Sequence, residues 1–385
     1  MQYIPFTRPD EKDFLKWAAV WRHDIFHVDQ KPLTDSVVFI DTSHDLSLLA
    51  DTSLKIDTVA PFRPPVKIIT DRVKLGAFLA LIRRHTGQYK FVLLDISLDE
   101  PGSQDALLRS AVEGMPRLLT TAHWDTEHRT VIRPVFRVPY GLVNYTPLPG
   151  SLFYKMPVFY EDTAKSLPVK LYETLTPNRI TRRHGLVWLN GRLSFNYVLP
   201  EFYYRGENLN KSDDQRTVNT YYLDQLLNLG DDGFSFLKDK YIVIGNFDDD
   251  QHQTYLGGLP GCVILWDVFL TLLQSPPVIT AGWLMFLFLA FWLVSFYQIF
   301  RVGRKTRGLE QKVKALPLPL VKDLIIKYVS FLGAVIAVNL VSIVFFKMYI
   351  SIFYLATYLT VFGLVIEKYE AWLKKIKQVW QNLTA

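Results

Sequence analysis

Three carboxylates and an imidazole stand in one five-residue stretch, Asp248-Asp249-Asp250-Gln251-His252. Oxygen and imidazole donors at that density suit a hard or borderline divalent cation, with Asp248, Asp250 and His252 as its ligands. The stretch follows Tyr241-Ile-Val-Ile-Gly245, an apolar run that reads as a strand buried on both faces. Two similar runs end on a carboxylate, Val37-Val-Phe-Ile-Asp41 and Phe91-Val-Leu-Leu-Asp95. Ligands of open α/β sheets sit outside the carboxyl ends of strands, so Asp41, Asp95 and the Asp/His loop are expected to share one crevice. Acidic residues after strands also cap helices and solvate loops, and that role competes with metal binding at each position. Arg72 opens a helix, where the dipole disfavours a cation; pairing with Asp41 or Asp95 would account for it.

Signatures of catalysis are missing. The sequence has no Gly-x-Ser-x-Gly elbow, no His-Glu-x-x-His, no Walker loop and no Cys–His pairing. The one enzymatic reading left is metal-dependent, on Asp41, Asp95, Asp250 and His252, and an enzyme is not the expectation. No cofactor is expected. Cys262 is the single cysteine, which excludes an internal disulfide and every cysteine-based metal motif.

Positioning these groups falls to a recognisable alternation. Asp71–Arg84 carries apolar residues at 75, 78, 79 and 82, a helical spacing, with Thr70 or Asp71 as N-cap. A second helix is predicted to start near Ser103 or Gln104, with Leu107, Leu108 and Ala111 inward, before a strand over Leu118–Ala122. This β-α-β-α-β order implies parallel strands in a layered domain. Pro134–Tyr204, rich in proline and aromatics, predicts a β-rich insertion, with Arg182-Arg183-His184 in an exposed turn. Pro260–Leu273 reads as a helix.

The chain then changes character. Pro277–Phe300, Tyr328–Phe346 and Met348–Ile366 carry no formal charge, and each is about as long as a helix crossing a bilayer, roughly 20 residues. Residues 277–385 hold 13 Lys and Arg against 4 Asp and Glu, leaving 30 against 33 before them. The basic balance therefore belongs to this foot, and no nucleic-acid partner is implied. Its positives cluster in a loop (Arg301 to Lys327) and in the tail (Lys368, Lys374, Lys375, Lys377). Cationic loops stay cytoplasmic, which puts the head outside and turns the last two spans near Lys347. Interior Asn339 and Ser342 suit hydrogen bonds between helices, and Trp283 and Trp292 suit the interface. The predicted class is α/β: a layered head with mostly parallel buried strands and a β-rich insertion, plus a C-terminal three-helix transmembrane region. Its boundaries are 1–34 N-terminal segment, 35–276 head, 277–300 helix, 301–327 basic cytoplasmic loop, 328–346 helix, 348–366 helix and 367–385 amphipathic tail.

The order of motifs is similar to the CHASE2 family of extracytoplasmic sensor domains. It runs through Asp41, Thr70-Asp71-Arg72, Leu93-Leu94-Asp95, Pro101 and Asp105, then Gly141-Leu-Val-Asn144 and Leu193-Ser-Phe-Asn-Tyr197. It closes on Asp250, His252 and Thr254, then Gly258-Leu-Pro-Gly261. The resemblance spans residues 35–366 and implies Asp41, Asp71, Arg72, Asp95, Asp250, His252 and Thr254 as candidate ligand-binding residues. Family members commonly carry a membrane helix before the domain, so an export helix is expected upstream of Met1. They also continue into an output domain, which the 19 residues after Ile366 do not provide. The expected protein is a multi-pass subunit of the bacterial inner membrane that binds a small molecule or an exported partner and signals to a separate output protein. The alternative is a structural docking subunit of an envelope complex that senses nothing.

Overall fold

The structure, a computed structural model, describes residues 36–50, 66–102, 104–145, 153–161, 163–204, 219–301, 319–348 and 350, together with 16–18, 21, 361, 365, 368, 369 and 372. The chain forms two compact units, Asp29–Val278, and Met1–Val28 with Ile279–Ala385.

The unit Asp29–Val278 is mixed α/β. β1 (Val37–Asp41) leads to an antiparallel hairpin, β2 (Leu46–Ala50) and β3 (Val66–Thr70), then α1 (Arg72–Arg84), β4 (Phe91–Asp95), α2 (Asp105–Val112) and β5 (Leu118–Asp125). β6 (Thr130–Ile132) folds back along the outer half of β5, and β7 (Tyr140–Leu142) runs parallel to its middle. The next segment holds β8 (Met156–Pro157), α3 (Leu167–Leu175), the meander β9 (Ile180–Arg183), β10 (Leu186–Leu189) and β11 (Arg192–Ser194), and β12 (Tyr197–Val198). β13 (Thr220–Tyr222), α4 (Leu223–Leu229) and β14 (Tyr241–Gly245) return to the main sheet. The hairpin β15 (Gln251–Thr254) and β16 (Gly257–Pro260) then delivers the chain into α5 (Gly261–Gln274).

The main sheet runs β13-β1-β14-β4-β5-β7, every pair parallel, with β6 the antiparallel addition. Strict alternation sorts its side chains into two layers. Val38, Ile40, Val92, Leu94, Ile242 and Ile244 pack with α1, α2 and α4 on one face. Val37, Phe39, Phe91, Leu93 and Val243 pack with α3 and α5 on the other. Burial on both faces is why these strands read as unbroken apolar runs, each such side chain contributing about 1.5–3 kcal/mol.

Local signals explain the helix boundaries. Asp71 is the N-cap of α1, its carboxylate accepting from the amides of Val73 (2.9 Å) and Lys74 (3.1 Å). His184 and Gly185, both at positive φ, form the tight turn between β9 and β10, the mirror-image geometry that matches strand twist. The middle segment is β-rich and also carries a helix: α3 starts at Leu167, with Pro168 in its first turn, where a missing amide costs nothing. Leu107 lies on the outer side of α2, 40% exposed, while Leu108 and Ala111 are buried. The β2–β3 hairpin had no counterpart in the sequence reading.

In the second unit, α6 (Ala281–Arg301) and α7 (Pro319–Phe346) pack together. Helix α7 begins inside the stretch expected to be loop. Trp283, expected at an interface, is buried and donates from Nε1 to Ser342 Oγ (2.8 Å), which in turn donates to the Met348 carbonyl. Asn339 pairs with the backbone of Ile350 instead of a neighbouring helix. Lys347 takes a left-handed conformation at the end of α7, where the turn was expected. Among the described residues no helix is long and apolar enough to cross a membrane. Most of 348–366 and of the tail lies outside the described residues.

One buried charge tests the head's interior. Asp267 of α5 is fully buried; its Oδ1 accepts from the Tyr203 amide (3.2 Å), and burial pushes its carboxyl well above the usual range despite the opposing Tyr203 and Tyr204 amides. A raised folded pKa means that the protonated form stabilises the fold below the unfolded carboxylate range, and that this stability is lost as pH rises towards the folded value. Chemical denaturation is expected to show Asp267→Asn near wild type at about pH 4 and more stable than wild type by about 1–3 kcal/mol at about pH 8. Parallel stability–pH profiles for the two proteins would contradict this account.

Candidate functional site

The sheet register lines up the strand ends. Asp41 lies opposite Gly245, and Gly245 opposite Asp95, so the three carboxyl termini form one row. Gly245 matters here: a Cβ on it would fall 2.6 Å from Cys262 Cβ and 2.7 Å from its Sγ. Only a bare backbone lets the first turn of α5 sit against this row. Cys262 itself is buried, and burial first, then the nearby carboxylates, raises its thiol well above the usual range. It is a packing residue.

Several candidates are occupied by structural bonds. Asp41 Oδ1 accepts from Ser43 N (2.9 Å), from Ser43 Oγ and from Phe247 N (3.2 Å). Ser43 Oγ also accepts from the amides of Phe247 and Asp248, so Asp41 and Ser43 stitch the loop after β1 to the loop after β14. Asp71 caps α1. Thr254 is buried, donates to the Gly257 carbonyl (2.7 Å) and accepts from Leu256 N (3.1 Å), closing the β15–β16 turn. Arg72 pairs with neither Asp41 nor Asp95. Its Nη1 donates to Asp105 Oδ1 and its Nη2 to the Glu100 carbonyl (2.6 Å), fixing the loop before α2. That buried ion pair, invisible in sequence, explains a cation at the start of α1.

The remaining candidates come together. His252 Nε2 lies 3.0 Å from Asp250 Oδ1, and its Nδ1 lies 2.8 Å from the Tyr145 hydroxyl. Burial and the Asp250 charge raise the Tyr145 hydroxyl above its ordinary value, so it stays protonated. With a neutral ring, Tyr145 donates to Nδ1 and Nε2–H donates to Asp250, giving a relay Tyr145–His252–Asp250. The relay is braced from below. The β15–β16 pairing brings the Asp250 carbonyl onto the Gly261 amide (2.8 Å), and the carboxylate lies where a Gly261 Cβ would be, 2.1 Å from Oδ2. Asp250 therefore sits on the N-terminus of α5, where the helix dipole favours an anion.

Asp95 completes the group. Its Oδ2 is buried and has no hydrogen-bond partner among the described residues. Burial, and then the charge of Asp250, raise its carboxyl well above the usual range. Asp95, Asp250, His252, Tyr145 and Arg72 all line one cleft of about 780 Å³ at the carboxyl ends of the strands. Asp41, Asp71, Asp248 and Thr254 are not among its walls. The cleft thus brings Asp95 together with the Asp/His loop, and Asp41, expected in the same crevice, is not part of it. Among the described residues no group of three His, Cys, Asp or Glu side chains is placed to hold a metal ion, and Asp248 is an exposed loop residue.

No family model matches the chain, and neither a curated protein nor a solved structure is similar to it. The site is therefore read from its own chemistry. Sequence reasoning missed Tyr145, which lies 107 positions from His252. Its place directly after the quoted Gly141-Leu-Val-Asn144 was the one available pointer. Asn144 is itself bound to Trp124 on both sides of the backbone unit, accepting from its amide and donating to its carbonyl (3.0 Å), which fixes the segment that presents Tyr145.

The brace predicts a coupling. Gly261→Ala drives a methyl into the Asp250 carboxylate and is expected to destabilise the protein by about 1–3 kcal/mol in equilibrium denaturation. In an Asp250→Ala background the colliding atoms are gone, and the same substitution should cost less than about 0.5 kcal/mol. Equal costs in both backgrounds would remove Asp250 from the N-terminus of α5.

Proposed function

We propose that this chain is a membrane-anchored sensory subunit whose α/β head, outside the cytoplasm, binds a ligand in the cleft at its strand ends and signals to a separate output protein. The observation that carries this reading is the cleft itself. Side chains from β4, the β14–β15 loop, β15 and the segment after β7 converge on a concave site where α/β sheets hold ligands. A braced polar group on one wall, and on another a buried Asp95 oxygen with no partner among the described residues, suit recognition of a polar ligand. The motif resemblance to CHASE2 domains points the same way.

The membrane part of the proposal rests on the three uncharged runs and on the lopsided lysines and arginines. It is supported by α6, where Leu284, Met285, Phe288, Leu289, Trp292, Leu293 and Phe296 are all exposed, Phe288 to 69%. Contiguous exposed apolar surface of this kind marks contact with lipid or with another protein.

Limited proteolysis of the full chain in intact spheroplasts tests the topology. The head is expected to be cut from outside, leaving a membrane-retained C-terminal fragment. Cleavage of the head only after lysis would place it in the cytoplasm and end the exported-sensor reading.

A further inference from the structure

More acids than bases line the cleft. Asp95, Asp99, Glu100, Asp249 and Asp250 line it, and the fixed positive charge among its walls, Arg72, is already committed to Asp105. Some of these acids have local donors: Asp99 accepts from Ser97 Oγ, and Asp249 accepts from Asn246 Nδ2 (3.0 Å). Asp95 does not. Its buried Oδ2 meets no donor among the described residues, although it belongs to a wall of a cleft large enough for a small organic molecule. An oxygen left in that condition has lost its water without gaining a partner, unless something supplied from outside satisfies it.

The arrangement also says which charge is wanted. An anionic ligand would normally be drawn to a helix N-terminus. Here that place is filled by the protein's own Asp250 carboxylate, seated on Gly261 of α5. A metal would need a third ligand, which the described residues do not supply. The rest of the lining is largely apolar, with Ile69, Ile96, Val143, Phe153, Ile264 and Leu265 among it.

We propose that the cleft binds a primary amine carried on an apolar body, with the ammonium group held by Asp95 and Asp250. An ammonium group offers three donors and one positive charge, enough to satisfy the unmatched Asp95 oxygen and to lie beside Asp250. The apolar wall takes the body of the ligand. Because Asp95 holds its proton more tightly than an ordinary carboxyl, the arriving cation favours its ionisation, and one proton leaves to solvent as the ammonium–carboxylate pair forms. The inference rests on the ligand-binding reading of the cleft.

Three probes separate the possibilities: 2-phenylethylamine, 2-phenylethanol and phenylacetate share a ring and differ in charge. Titrated calorimetrically into the detergent-solubilised full chain, the amine is expected to bind about tenfold or more tighter than the alcohol, and the acid more weakly than either. Asp95→Asn and Asp250→Asn should each abolish the amine's advantage and leave the alcohol unchanged. If the alcohol or the acid binds as well as the amine, and Phe153→Ala weakens that binding, the ammonium assignment is wrong while ligand binding in the cleft stands. Amine binding that survives both asparagine variants, or no binding of any probe at millimolar concentration, overturns the proposal. The membrane topology stands or falls by the proteolysis experiment.

Discussion

The head depends on one close approach, that of α5 to the end of β14. With no side chain on Gly245, the first turn of α5 rests directly against the row formed by Asp41, Gly245 and Asp95. With none on Gly261, the loop after β14 can fold back and place the Asp250 carboxylate on the helix terminus. A methyl group on Gly245 would meet Cys262 Cβ closer than any ordinary contact, and one on Gly261 would displace the Asp250 carboxylate from the helix terminus. These two contacts hold the Asp250 loop against the strand ends that line the cleft.

Around that approach the polar groups divide by what they already bind. Asp41, Asp71, Thr254 and Arg72 complete backbone or ion-pair bonds within the protein and fix the loops after β1, before α1, between β15 and β16, and before α2. They give the cleft its shape. Asp250, His252 and Tyr145 lie within hydrogen-bonding distance of one another and form one connected polar group. Asp95 keeps one oxygen without a partner among the described residues. A residue's type and its place after a strand do not distinguish these three conditions. The distinction lies in partners distant along the chain, such as Asp41 with Phe247 or Arg72 with Asp105.

That explains how far the sequence could be read. The buried strands β1, β4 and β14 and the helices α1 and α5 were legible because burial on both faces, or on one helical stripe, leaves a periodic apolar record. The convergence of Asp95 with the Asp250–His252 loop followed from parallel strands alone. Short elements left weaker records. Helix α3, nine residues opening with Leu167-Pro168, was hidden among prolines that suggest irregular structure, although proline in a first turn favours a helix. Hairpin β2–β3 places Leu48 and Ile68 in exposed positions, so its apolar content did not mark a buried strand. The exposure of Leu107 shows the limit of helical spacing in an eight-residue helix, where one turn decides which side faces inward. For Arg72 and Tyr145 no local pattern could have named the partner.

Helix α5 is also the only described element that touches the cleft at its start and the end of the unit at its finish. Its fourteen residues extend about 21 Å from Gly261 beneath Asp250 to Gln274. Gly261 through Leu272 are all buried, so the helix cannot bend without repacking the layer formed with α3. Beyond it, Pro277 is fixed by Ser194 Oγ (2.7 Å) and Phe195 N (3.4 Å), which ties the outgoing chain to β11. A close-packed helix between two anchored ends transmits a displacement along its axis more readily than it absorbs one. Any event that shifts the Asp250 carboxylate therefore acts on a rigid body whose far end is the exit from the head.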